Sequence, residues 1–284
     1  AIVDQFREQY GVRPSVNIDD PDVPIFLYIH RGKATIYRVW SGEASMHKRG
    51  YRQIVHKAAL RETTAAALLQ SSDWSSTRET LCDPMCGSGT IVIEAALIAA
   101  NTAPGLLRYG HTEDPHYAPP RSVHWPGGKD EDWNRIWDMA CVSDKRKELS
   151  ATQDPLILAN DHHKGAVELS IRAAAEAGVH RMIRFSCKDI NKYEPPGCSD
   201  VIITNPPWDR RLSGASEAWS KLGSFVRHYP PEKSLWTLTG NTASTKHLNL
   251  RKMKSVRFNA AGVDLSFDKF DIPEEEPLEQ TITS

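Results

Sequence analysis

From residue 80 onward, short apolar runs alternate with helical stretches, and this alternation leaves few folds open. TLCDP precedes TIVIEAALIAANT, PLILAND precedes KGAVELSIRAAAEAG, MIRFSCKDI follows, and DVIITNPPW leads into a helical stretch near 215–228. Strands that alternate with helices form a mainly parallel sheet whose two faces are both covered. The expected class is therefore α/β, doubly wound. SLWTLTG reads as a fifth strand, and KSVRFNAAGVDLSFDKF as two strands joined through an Ala-Ala-Gly turn, so the sheet should finish in an antiparallel hairpin.

Ahead of this region, VPIFLYI and ATIYRVW are rich in β-branched and aromatic residues and are separated by HRGK, the pattern of a β-hairpin. A polar connector, SGEASMHKRGYRQ, links it to a helical stretch at about 54–70. Residues 1–52 thus read as a small N-terminal β appendage, 53–271 as the main domain and 272–284 as an acidic, frayed tail. Residues 103–133, dense in Pro, Gly, His and Trp, read as a long irregular insertion.

With 40% hydrophobic residues the chain has enough apolar material for a sizeable core. Its 35 basic and 36 acidic residues nearly cancel, so bulk charge does not signal a nucleic-acid binder and any such contact must come from local patches. Five cysteines form neither a CxxC pair nor a zinc-spaced cluster, and read as reduced thiols of an intracellular protein. No apolar run approaches a membrane span, and the start has no signal-peptide pattern; the missing initiator Met suggests a fragment or processed chain.

The segment Asp83-Pro84-Met85-Cys86-Gly87-Ser88-Gly89-Thr90 stands between a strand and a helix. Its glycines allow close approach of a ligand, and the helix start offers unpaired N–H groups to an anion. The dinucleotide fingerprint wants a third Gly where Val92 stands, and no GKS or GKT follows, so NAD and ATP fit poorly. Asp161, at the end of the next strand, stands where open-sheet sites hold ribose hydroxyls; it could instead cap the following helix. Asp189, after the third strand, could meet an adenine amino group or be a solvated loop carboxylate. A ligand with a carboxylate, a ribose and an adenine suits the three positions.

Thr204-Asn205-Pro206-Pro207-Trp208 ends the fourth strand. Two prolines remove two donors and fix φ, leaving rigidly aimed carbonyls. The amino group of a nucleic-acid base is a poor nucleophile because its lone pair is delocalised into the ring. The Asn205 side-chain oxygen and the Pro206 carbonyl could accept its two N–H bonds and localise that pair toward a sulfonium methyl. Trp208 would offer a stacking face for a flipped base.

Together, DPMCGSGTIVIEAALIA, TNPPWDRRL, the late LTGN and KSVRFNAAGVDLSF resemble the THUMP-associated RNA guanine-N2 methyltransferases, of the RlmL-type large-subunit rRNA kind, over roughly residues 14–271. The resemblance implies a Rossmann-like S-adenosylmethionine-dependent methyltransferase domain. It implies that Asp83, Gly87 and Gly89, with Pro84, Cys86 and Ser88 of the same loop, surround the methionine part of the cofactor. Asp161 is then at the ribose, Asp189 at the adenine and Asn205 to Trp208 at the target amine, with Asn205 also counted among the cofactor-binding residues. The N-terminal hairpin and MHKRGYR resemble only the end of a THUMP region. The implied substrate is RNA, with rRNA favoured over tRNA, and the implied location is the cytoplasm or an organelle.

His47, Lys48, Arg49, Tyr51 and Arg52 could touch an RNA backbone or form a solvated linker, and Arg210 and Arg211 flank the NPPW run. His162 and His163 lack partners at ligand spacing, so no metal site is expected. Two rival readings stand: a DNA adenine-N6 methyltransferase, because the same motif serves any planar exocyclic amine, and a non-catalytic RNA-binding or scaffold protein that keeps the fold without turnover.

Overall fold

The central strands are short and almost wholly apolar, and they are buried on both faces. The computed structural model describes residues 2–13, 15–19, 21–41, 45–52, 59–110, 121–151, 157–208, 214–260 and 262–272. In chain order the elements are α1 (Ile2–Tyr10), β1 (Ile25–His30), β2 (Lys33–Arg38), α2 (Glu62–Ser71), β3 (Leu81–Asp83), α3 (Thr90–Ala99), α4 (Pro104–Tyr109), α5 (Asp130–Ser143), α6 (Arg146–Leu149), β4 (Ile157–Asn160), α7 (Lys164–Glu176), β5 (Ile183–Ser186), β6 (Val201–Thr204), α8 (Ala215–His228), β7 (Ser234–Thr239), β8 (Lys252–Ala260) and β9 (Val263–Phe270). One sheet runs β5-β4-β3-β6-β7-β9-β8 and a separate ribbon pairs β1 with β2. The pairs from β5 through β7 are parallel, whereas β9 lies antiparallel to both β7 and β8. This is the expected α/β sheet with its terminal hairpin.

Alternation along each strand divides the core in two. Leu81, Ile157, Val201, Ile203 and Trp236 pack with Leu68 of α2, Ile93 of α3 and Ala173 of α7. Their neighbours Cys82, Leu158, Ile202 and Leu235 face Trp219, Leu222, Phe225 and Val226 of α8. Helix α3 is buried all round except at Ile98, as an apolar helix between a sheet and other helices must be. The β1–β2 ribbon pairs Phe26 with Tyr37 and Leu27 with Ile36, and every residue of both strands is exposed.

Three expectations need correction. The helix expected at about 54–70 is found as α2, Glu62–Ser71; residues 53–58 lie outside the described residues. The insertion expected to be irregular contains α4, a 3-10 turn at Arg121–His124 and the start of α5, with 111–120 outside the described residues. Pro104 opens α4 with its φ already fixed for a helix, and Asp130, Glu131 and Asp132 meet the positive end of α5.

The third concerns the run around MHKRGYR, which is neither a solvated linker nor an open basic patch. Arg49 and Tyr51 are buried. Tyr51 Oη donates to Glu94 Oε1 at 3.0 Å and Arg49 pairs with Glu94 at 3.6 Å. Arg52 pairs with Glu62 at 3.6 Å, donates to the Leu60 carbonyl at 3.1 Å and bonds the Thr90 hydroxyl. Buried charges need partners, and Glu62 and Glu94 on two packed helices supply them. Of this run, Lys48 is exposed. The tail from 273 onward, together with Arg210 and Arg211, lies outside the described residues.

Candidate active site

Strands β4 and β5 extend the sheet to one side of β3, while β6 and β7 extend it to the other. The chain order reverses between β3 and β6, and loops leaving the carboxyl ends of two such strands diverge to form a crevice. In register, Leu81 and Cys82 of β3 face Val201 and Ile202 of β6, so the glycine loop after Asp83 and the NPPW run after Thr204 emerge side by side.

The glycine loop is held from below and from one flank. Gly87 and Gly89 both have positive φ, 54° and 79°. A Cβ on Gly89 would stand 1.9 Å from the Ser170 hydroxyl of α7, whereas one on Gly87 would meet nothing within 4 Å. The first glycine therefore faces open space over the crevice, and the second lets α3 start flush against α7. Asp161 Oδ2 accepts the Gly87 N–H at 2.9 Å, and its Oδ1 accepts the His163 N–H at 2.8 Å. The ribose candidate thus ties β4 to the loop while keeping acceptor capacity for further donors, since a carboxylate offers about four lone-pair directions. The capping role weighed for Asp161 belongs instead to His163, whose Nδ1 accepts from the Ala166 N–H at 3.1 Å to open α7. His162 is exposed.

Asp83 is fully buried at the end of β3. Burial lifts its pKa to about 7; the Thr204 hydroxyl and the Met85 N–H pull the other way, and the charge of Asp161 adds to the rise. Cys86 is buried, its N–H bonded to the Asn160 carbonyl at 2.8 Å, and burial pushes its thiol well above the ordinary range. Pro84 is buried, while Ser88 is half-exposed at the loop tip. Asp189 sits on the outer side of the crevice. Its Oδ1 accepts the Asn191 N–H at 3.0 Å and its Oδ2 pairs with Lys221 at 3.2 Å. The Asn191 N–H is the main cause of its lowered pKa, with Lys221 adding to it.

In the NPPW run, Pro206 is buried and Asn205 and Trp208 are half-buried. The Trp208 indole donates to Asn205 Oδ1 at 3.0 Å, and the Trp219 indole donates to the Pro207 carbonyl at 2.9 Å. Trp219 is a fully buried core residue of α8, so the run is anchored to the core by a directed hydrogen bond.

Residues 49–258 match the family described as an RMKL-like methyltransferase domain, and residues 1–39 match the THUMP domain. The chain belongs to the RMKL-like methyltransferase family. A ribosomal RNA large subunit methyltransferase K/L of Syntrophotalea carbinolica is 33% identical over 285 residues, spanning 97% of this chain and 38% of the relative. The enzyme of that name from Shewanella sp. strain ANA-3 is 38% identical over 256 residues, spanning 90% of this chain and 34% of the relative. The chain therefore spans little more than a third of the length of these relatives. Among solved structures, a possible methylase from Clostridium difficile 630 superposes with a TM-score of 0.77 at 28% identity, covering 97% of this chain and 68% of that one. A predicted N6-adenine-specific DNA methylase from Listeria monocytogenes gives 0.74 at 25% identity, covering 96% and 67%.

Within this methyltransferase domain the structure also reveals residues that the sequence pattern did not single out. Asn160, fully buried at the end of β4, donates to the Pro84 carbonyl at 3.1 Å and the Lys188 carbonyl at 3.0 Å, and accepts the Lys188 N–H at 3.1 Å. One amide thereby joins the loops after β3, β4 and β5. The available signal was a polar residue closing the apolar run LILAN.

Proposed function

We propose that this chain is an S-adenosylmethionine-dependent RNA methyltransferase that methylates the exocyclic N2 of a guanine, with rRNA the favoured substrate. The observation that carries the reading is the placement of the glycine loop and the NPPW run on neighbouring parallel strands across the switch point. Family membership supports methyl transfer, and relatives named as large-subunit rRNA methyltransferases, with a THUMP match at the N-terminus, support RNA. Such a substrate would put the protein in the cytoplasm or an organelle.

The residues present fit this cofactor: the open space over Gly87, the N-terminus of α3 and the Asp161 carboxylate form a cradle for a charged amino-acid end and a ribose. When bound, the cofactor supplies an electrophilic methyl on a sulfonium. Gly87, Ser88 and Gly89 would line its methionine end, with Asp83, Pro84 and Cys86 shaping the loop beneath. Asp161 would receive ribose hydroxyls and Asp189 the adenine amino group. Asn205 Oδ1 already accepts one bond from Trp208 and has a second lone pair for the target amine, whose other N–H would go to the Pro206 carbonyl. Both bonds raise electron density on the amine nitrogen, and the catalytic demand is mainly in-line placement. After transfer the surplus proton on nitrogen leaves to water.

Incubation with radiolabelled S-adenosylmethionine and separate pools of rRNA, tRNA and duplex DNA, followed by nucleoside mass spectrometry, tests the proposal. N2-methylguanosine in RNA is the expected product. N6-methyladenine in DNA would replace the reading with the DNA rival, and tight cofactor binding without transfer would replace it with a non-catalytic binder. Asn205→Ala should lower kcat by about a hundredfold or more while leaving cofactor binding intact; equal loss of both would remove the role given to Asn205.

A further inference from the structure

Gly240 closes strand β7 in the run LTGN, across from NPPW, and its backbone is not in the left-handed region. The chain's path therefore gives no reason for a glycine there. The reason lies in packing. A Cβ on Gly240 would stand 2.3 Å from Trp208 Cζ3, 2.6 Å from Cε3 and 2.7 Å from Cη2, so the six-membered ring of Trp208 lies directly on the Gly240 backbone.

That backbone is itself clamped. The Thr239 hydroxyl donates to the Asn241 carbonyl and accepts the Asn241 N–H, both at 3.0 Å, which fixes the peptides on either side of Asn241, the first of which joins it to Gly240. Thr239 is buried in a strand paired on both sides. A side chain at 240 would thus have to displace the Trp208 ring rather than the strand. The opposite edge of that ring carries the N–H that reaches Asn205 Oδ1 at 3.0 Å, a bond with little tolerance for a shift of an ångström.

We propose that Gly240 is a positioning residue for Asn205, acting through Trp208: the bare backbone at 240 seats the indole, and the seated indole fixes which way the Asn205 amide points. Trp208 then serves as an orienting donor. An amide free to rotate could present its NH2 to the incoming amine, and two donors facing each other would prevent the bond on which the proposed methyl transfer depends. The inference rests on the methyltransferase reading for its kinetic consequence but not for its geometry.

The test uses the full chain with 15N-labelled tryptophan, the Trp208 indole N–H signal being assigned by its loss in Trp208→Phe. In the parent protein this proton should exchange slowly with solvent. Gly240→Ala should shift the signal and speed its exchange, as should Asn205→Ala, which leaves Gly240 untouched. In methyl transfer, Gly240→Ala and Trp208→Phe should each lose at least tenfold in kcat, with the S-adenosylmethionine Kd changed less than twofold. An unmoved indole signal in Gly240→Ala overturns the seat, and parental kcat in Trp208→Phe overturns the orienting role. If the parent protein transfers no methyl to any nucleic acid, the functional reading fails, while the indole signals still decide whether Gly240 seats Trp208.

Discussion

Two aspartates at opposite ends of one sheet are held in opposite ways. Asp73, at the end where β7 begins, accepts bonds from the Ser234 hydroxyl at 2.9 Å, the Lys269 ammonium at 2.6 Å and the Trp236 indole. Partial burial works to raise its pKa, but the Lys269, Trp236 and Ser234 donors outweigh that and hold it at about 2. Asp83, at the end where β3 finishes, is buried with no cationic partner among the described residues, and its pKa rises to about 7. The difference separates a sheet end whose carboxylate is fully engaged by donors from one whose carboxyl lies buried beneath the glycine loop proposed to receive the cofactor. Buried groups with strongly perturbed protonation collect where function needs them, and Asp83 lies beneath the glycine loop.

The largest expected effect comes from breaking the end that carries the glycine loop. Asn160→Ala leaves the Lys188 N–H and two carbonyls without their partner and should cost about 3 kcal/mol in urea unfolding, because a buried polar group left unsatisfied carries its full desolvation penalty. Calorimetric titration should show S-adenosylmethionine affinity falling at least tenfold in the same variant. A stability loss with unchanged affinity would mean that the two ends differ only in their local bonding.

A smaller effect follows from Asp83, whose folded pKa lies above the unfolded value. Its favourable contribution is complete below pH 4 and is lost as pH rises through about 7. Asp83→Asn should remove that decline, leaving the unfolding free energy flatter between pH 4 and 8 in urea unfolding followed across pH.

Asp73 has the reverse sign, its contribution being present above pH 4 and lost as pH falls toward about 2. Asp73→Asn should flatten only this acid limb, and by no more than about 1 kcal/mol, because the Asp73 side chain is 38% exposed and solvent screens it. Parallel pH profiles for the two variants would erase the contrast between the ends.

Much of this molecule is legible in its sequence because the signals are local. The runs TLCDP, LILAN and VIIT have strand length and apolar content, and each is followed by its helix or loop. Gly87 and Gly89 announce a strained strand-to-helix turn, and NPPW a rigid acceptor loop. The β1–β2 ribbon follows from β-branched and aromatic runs on either side of a turn. Around MHKRGYR local reading misleads, since a run of charges looks solvated until Glu62 and Glu94, from helices later in the chain, are brought against it.

The sequence by itself determined the alternation of strands and helices along the chain, the terminal hairpin and the two motifs that follow β3 and β6, since periodicity and turn chemistry act over a few residues, whereas the reversal that brings those motifs together came from the sheet's strand order. Only the tertiary structure decided that Arg49, Tyr51 and Arg52 are interior, that Asn160 joins three loops, and that Gly240 carries the Trp208 ring. Those facts depend on contacts between segments tens of residues apart, where burial and partner geometry outweigh local propensity.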